Sequence, residues 1–364
     1  MSQTVVWFRD MSRTRNALAA RPPRGLASAG AGANASEVWS VSPLAGLHGA
    51  VDRLAMWLED RAPRAPEAFR AGPPGALDCF GPLPPLPEGP RGPGRWSASS
   101  PRAQGGEDRM AVVWFPAAGR SVGTALLVPP WKTETARLVS GWISVLAEAG
   151  RDVWLVVPPH HLDRTAAGAR SGEGFVSLDL ARLRRSFEQL VLEIRVCAAL
   201  AARRGPVDLV GLSLGALAST LAAPVIPELA RLAAVAPPAD LAAVLGETPI
   251  GRRYRALADR AGAPVPETAA LREALGAFDP SRLPRPAADL FVGVGRHDAI
   301  ALPHGALALA RTWGARAEIY PRGHLTLLFA CRGVRRDLAR FLVRPRPRPA
   351  RAAGAATVAG ASPA

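Results

Sequence analysis

Apolar positions along the middle of the chain fall into two alternating kinds of run. Short, nearly continuous ones have strand length: RWSASS (95–100), RMAVVWFPA (109–117), GTALLVPP (123–130), DVWLVVPP (152–159), VDLVG (207–211), LAAVAP (232–237), DLFVGVG (289–295) and ARAEIYP (315–321). Between them lie stretches whose apolar residues recur at helical spacing. These cover 134–149, 177–203 (Leu180, Leu183, Phe187, Leu190, Ile194, Cys197), the segment after 212, 303–313 and 325–342. Strands alternating with helices of this length predict an α/β fold with a mostly parallel, doubly wound sheet. The alternation is interrupted over 238–288 by a helical insertion. Upstream, residues 44–61 predict an amphipathic helix with Leu47, Val51, Leu54, Trp57 and Leu58 on its apolar face. The proline- and glycine-rich stretch at 65–94 predicts no regular element. The expected organisation is an extension over 1–94, a domain over 95–343 and a low-complexity, disordered basic tail over 344–364.

Composition changes this picture little. The chain of 364 residues has 48% hydrophobic and 21% charged residues, as a soluble globular protein does. The net charge of +15 invites a nucleic-acid partner, but Lys132 is the only lysine and the arginines are dispersed among acids. Without a basic stripe interleaved with aromatics or a zinc-finger spacing, no nucleic-acid role is expected. Three separated cysteines, Cys79, Cys197 and Cys331, support neither a disulfide scaffold nor a zinc site. The N-terminus lacks the apolar core of a signal peptide, so the expected location is cytoplasmic. The window 206–226 carries a single charge and could be taken for a membrane span. Its internal glycines favour a buried strand running into a buried helix, and no stable membrane insertion is expected.

The pentapeptide pattern G-x-S-x-G occurs twice, as GRSVG (119–123) and GLSLG (211–215). GRSVG lies between two strand-length runs, where glycine and serine suit a hairpin connection. GLSLG instead follows a buried strand and opens a buried helix. A serine on such a sharp turn needs small neighbours two residues either side, which Gly211 and Gly215 supply.

With these flanks, GLSLG resembles the nucleophile elbow of the α/β-hydrolase superfamily, over roughly residues 95–343. The superfamily's order of serine, acid, histidine is matched by Ser213, by Asp298 in FVGVGRHDAIALP and by His324 in IYPRGHLTLLF. The resemblance implies the α/β-hydrolase type of sheet with a cap at 238–288. It also implies an oxyanion hole from the backbone N–H of Leu214 and of a residue in the turn after the third strand. That turn reads VPPWK, and proline has no N–H, so the donor is Trp131 or Lys132. The VPPW turn resembles that of polyhydroxyalkanoate synthases, which carry cysteine at the position of Ser213. Asp208 and Asp289 begin strands and sit at the wrong edge. His160 and His161 follow a strand end and either line the pocket or lie in a solvated loop, while His297 should point away from Asp298. No cofactor or metal is expected. The activity implied is hydrolysis of a small-molecule carboxylic ester with a medium or long acyl chain. An acyltransferase or polyester-synthase-like reaction on the same residues, or a non-catalytic protein of this fold, are the alternatives.

Overall fold

The computed structural model describes residues 43–60, 65–73, 75–103 and 108–345. Its strands are β1 (Gly94–Ser99), β2 (Arg109–Phe115), β3 (Thr124–Val128), β4 (Asp152–Val157), β5 (Val207–Leu212), β6 (Leu229–Val235), β7 (Asp289–Gly295) and β8 (Arg316–Tyr320). They form one sheet in the order β1-β2-β4-β3-β5-β6-β7-β8. β1 and β2 run antiparallel to their neighbours, and all pairings from β4 through β8 are parallel. The helices are α1 (Pro43–Asp60), α2 (Ser140–Glu148), α3 (Leu180–Ala202), α4 (Leu214–Ala222), α5 (Leu241–Glu247), α6 (Pro249–Arg260), α7 (Thr268–Ala274), α8 (Pro303–Thr312) and α9 (Arg332–Val343). This is the mostly parallel, doubly wound α/β sheet that the sequence leads one to expect, with α5, α6 and α7 forming the helical insertion between β6 and β7.

Side-chain alternation explains the two layers of core. Leu126, Trp154, Leu209 and Leu232 face one side of the sheet and pack with α3 and α4. Their neighbours Leu127, Val153, Val210 and Ala233 face the other side and pack with α2 and α9. Strands buried on both faces must be apolar throughout, which accounts for the continuous runs. The window 206–226 is therefore β5 followed by α4, and among the described residues no helix is long and apolar enough to cross a membrane.

Three expectations need correction. GRSVG is not a hairpin, because β4 lies between β2 and β3 in the sheet. The loop passes the end of β4 instead, donating from Ala118 N–H to Ala147 O (3.0 Å) and from Val122 N–H to Gly150 O (2.9 Å). β3 is buried along its whole length and needs a partner on each side, and strand order is not written in the length of a loop. The final helix is also broken. A π-helical turn spans Thr326–Ala330, Cys331 is extended, and α9 starts at Arg332.

The third correction concerns α1. Its boundaries match the expectation within a residue, but Leu47 and Leu54 lie outside, 56% and 55% exposed, while Asp52 is fully buried. The side chains of Trp57 and Leu58 lie outside the described residues. The stretch after α1 has no regular element, and part of it packs into the core. Leu77 and Cys79 are buried with α3 residues. Asp78 N–H donates to Glu188 Oε1 (2.7 Å), and Arg195 donates to the carbonyls of Cys79 and Gly81. Further upstream, Phe69 N–H donates to Ala263 O (3.1 Å), tying the strap to the segment after α6. Beyond Pro345 the expected tail lies outside the described residues.

Candidate active site

Ser213 is the junction between β5 and α4, with φ 52° and ψ −118°. Positive φ is costly for a residue with a Cβ, on the order of 1–3 kcal/mol, and is held only where the surroundings impose it. Here they do. A Cβ on Gly211 would lie 2.6 Å from Ser219 Oγ, and one on Gly215 would lie 2.6 Å from Pro129 O. The two glycines let α4 start directly over the ends of β3 and β5. Ser213 N–H is held by Val235 O on β6 (2.9 Å). Among the described residues the non-glycine positions in this backbone region are Lys132, His160, Leu162, Ser213 and Ala236. All five stand just past the C-terminal ends of β3, β4, β5 and β6, the edge where open α/β sheets bind ligands.

Loops after β7 and β8 bring two more side chains to Ser213. His324 Nε2 lies 2.8 Å from Ser213 Oγ, and His324 Nδ1 lies 2.7 Å from Asp298 Oδ2. An ionised carboxylate only accepts, so Nδ1 carries the proton toward Asp298 and Nε2 accepts from the serine hydroxyl. Asp298 is itself fixed, its Oδ1 accepting from the N–H of Ile300 (2.9 Å) and of Ala301 (2.7 Å). Asp298 and His324 are each 4% exposed. Burial pushes the His324 pKa down, but the charge of Asp298, its hydrogen bond and the charge of Asp52 outweigh it, and the net shift is upward. His297 lies beside Asp298 but has no part in this chain of bonds. Asp208 is at the opposite edge, paired with Arg151 at 2.6 Å.

The turn after β3 is held from below by His161. This residue is fully buried; its Nδ1–H donates to Pro159 O (2.8 Å) and its Nε2 accepts from Lys132 N–H (3.3 Å). Burial and the neighbouring His160 and Arg164 keep the ring neutral, with its pKa lowered to about 4. The Lys132 N–H is thus engaged with His161. The Trp131 ring is set by its own Nε1–H, which donates to Gly172 O (2.8 Å). Neither reading of His161 from the sequence anticipated this role, because the contact depends on a loop 29 residues downstream folding back under the turn.

Ser213, Leu214 and Trp131 open onto a cavity of about 130 Å³. Its walls come from α3 (Leu183, Phe187), α4 (Leu217) and the insertion (Leu241, Val244, Leu245, Ile250, Tyr254). Among the described residues no group of three His, Cys, Asp or Glu is placed to hold a metal ion.

No family pattern matches the chain, and no curated protein sequence matches it. Solved structures do. An esterase of Pyrococcus furiosus is 14% identical, with 64% of this chain and 85% of that chain covered and a TM-score of 0.43. The acetyl xylan esterase 1 of Thermoanaerobacterium is 17% identical over 64% and 78%, with a TM-score of 0.46. A monoacylglycerol lipase of Paleococcus ferrophilus is 17% identical over 64% and 98%, with a TM-score of 0.44.

Proposed function

We propose that this chain is a serine hydrolase that cleaves a carboxylic ester through an acyl-enzyme on Ser213, with a medium or long acyl chain in the apolar cavity. One observation carries the reading: an unbroken line of hydrogen bonds from Ser213 Oγ through His324 to Asp298, beginning at the wall of an apolar cavity. A serine hydroxyl is a poor nucleophile until its proton is removed as it attacks. His324 Nε2 takes that proton as Oγ bonds the carbonyl carbon, and returns it to the leaving alkoxide. Water, deprotonated by the same nitrogen, then cleaves the acyl-enzyme to acid and free serine. Asp298 holds the tautomer and stabilises the imidazolium. The oxyanion is received by the N–H groups of Leu214 and Trp131. Leu214 begins α4, where backbone N–H groups have no intrahelical acceptor and the helix dipole favours negative charge.

The test sets the two serines against each other. Ser213→Ala should abolish labelling by a fluorophosphonate and lower turnover of chromogenic esters by about 10⁴-fold or more. Ser121→Ala should leave labelling intact, since Ser121 Oγ donates only to Gly123 O (3.2 Å) in the β2–β3 loop. Labelling that survives Ser213→Ala would refute the proposal. Release of an acylated alcohol instead of free acid would reassign the chemistry to acyl transfer on the same residues.

A further inference from the structure

The carboxylate of Asp52 is fully buried, and its hydrogen bonds all go to backbone N–H groups of the two turns that hold Asp298 and His324. Oδ2 accepts from His324 N–H (2.7 Å) and from Ala299 N–H (3.3 Å), and Oδ1 accepts from Leu325 N–H (3.0 Å). His324 and Leu325 open the helical turn after β8, so their N–H groups have no partner within that turn. Ala299 directly follows Asp298. One carboxylate, carried by a helix 272 residues away in the chain from His324, therefore clamps the base turn and the acid turn together. A buried anion is costly unless such donors hold it, and a hydrogen bond to a charged acceptor is stronger than one between neutral groups. This explains why α1 docks through Asp52 and leaves Leu47 and Leu54 outside.

We propose that Asp52 is a positioning residue of the active site: by binding the backbone of 299 and of 324–325 it sets the distance between Asp298 and His324 and places a second negative charge beside the imidazole. The inference rests on the reading of Ser213, His324 and Asp298 given above. Gly323 carries the same message from the other side. A Cβ there would lie 2.6 Å from Asp52 Oδ2 and 2.6 Å from His48 O, so only glycine lets α1 approach the turn. The other titratable groups around the contact are His48, Arg322 and His297. His48 Nε2 faces Arg322 Nη1 at 3.3 Å, and burial followed by the charges of Arg322 and His297 lowers its pKa. Asp298 and Asp52 are thus the anions that face His324.

Asp52→Asn keeps the shape but removes the charge and turns one acceptor oxygen into a donor that opposes a backbone N–H. In the full-length protein it should lower kcat at least tenfold, leave KM within about twofold, and move the acid limb of kcat/KM to lower pH. Gly323→Ala, which leaves Asp52 in place but pushes α1 off the turn, should give the same loss of kcat. The rate of fluorophosphonate labelling, which reads folded molecules only, should fall with it in both variants. A protein merely held together by α1 would lose melting temperature with its acid limb unmoved. The proposal is overturned if Asp52→Asn keeps both kcat and the acid limb, or, should that variant not fold, if Gly323→Ala labels at the wild-type rate. Loss of labelling in Ser213→Ala beside wild-type behaviour of both variants would refute this inference alone; labelling retained in Ser213→Ala would refute the active-site reading beneath it.

Discussion

The hydrogen bonds of His324 set the pH dependence that esterolysis should show. In the proposed role of base it would work only when neutral, and its pKa is raised above the ordinary 6.5 by Asp298 and Asp52 against the effect of burial. kcat/KM should therefore fall as pH drops through a value above 6.5, and a profile flat between about pH 5 and 8 would exclude a histidine base. Asp298→Asn should leave the fold intact, since Oδ1 can still accept from Ile300 and Ala301, but it removes the acceptor that fixes the imidazole tautomer. The serine-protease template gives a loss of about 10⁴ in kcat for the same change, readable in initial rates on a chromogenic ester. At this scale the meeting of Ser213, Asp298 and His324 at one edge of the sheet was legible in the sequence, because each sits beside a strand end with its own local signature. Asp52 and His161 were not. Each acts through a backbone atom distant in the chain, and no local pattern records such a partner.

At the scale of elements, β5 and α4 were readable because both are apolar all round and the glycines between them punctuate the run. The GRSVG loop was misread for a physical reason. A short polar connection between two strands looks like a hairpin whether or not a third strand has come between them, and only the sheet decides that. α1 shows the converse error. Its apolar stripe was real, but three hydrogen bonds to one carboxylate outweighed the burial of two leucines, each worth about 1.5–3 kcal/mol when fully buried. The helical insertion lends itself to a direct test. Ile250 and Leu245 line the cavity onto which Ser213 opens. Replacing either by Trp should shift preference toward shorter acyl chains with fluorophosphonate labelling retained, measured over a series of chromogenic esters. An unchanged chain-length preference would show that the acyl group lies elsewhere.

Across the whole molecule, several arginines are tied into structural contacts. Arg164 bridges Glu193 (2.6 Å) and Asp108 (2.7 Å), and Arg102 pairs with buried Glu188 (2.8 Å). Near the C-terminus, Arg231 on β6 donates to Arg344 O (2.6 Å), and Arg151, which is paired with Asp208, donates to Leu342 O (2.9 Å). Truncation after Pro345 should leave ester turnover within about twofold, because both carbonyls remain. Truncation after Val343 removes an acceptor of a nearly buried arginine and should lower the melting temperature by about 2–4 °C for each kcal/mol lost. What the sequence alone determined was the class of sheet, the strand–turn–helix at Ser213 and the places of Asp298 and His324 just past strand ends, since periodicity, glycine spacing and turn chemistry are local properties of the chain. Tertiary structure alone decided the strand neighbours, the face of α1 that is buried and the support beneath the site. Those depend on which backbone N–H groups remain unpaired once the sheet has formed, and on which distant side chain can reach them.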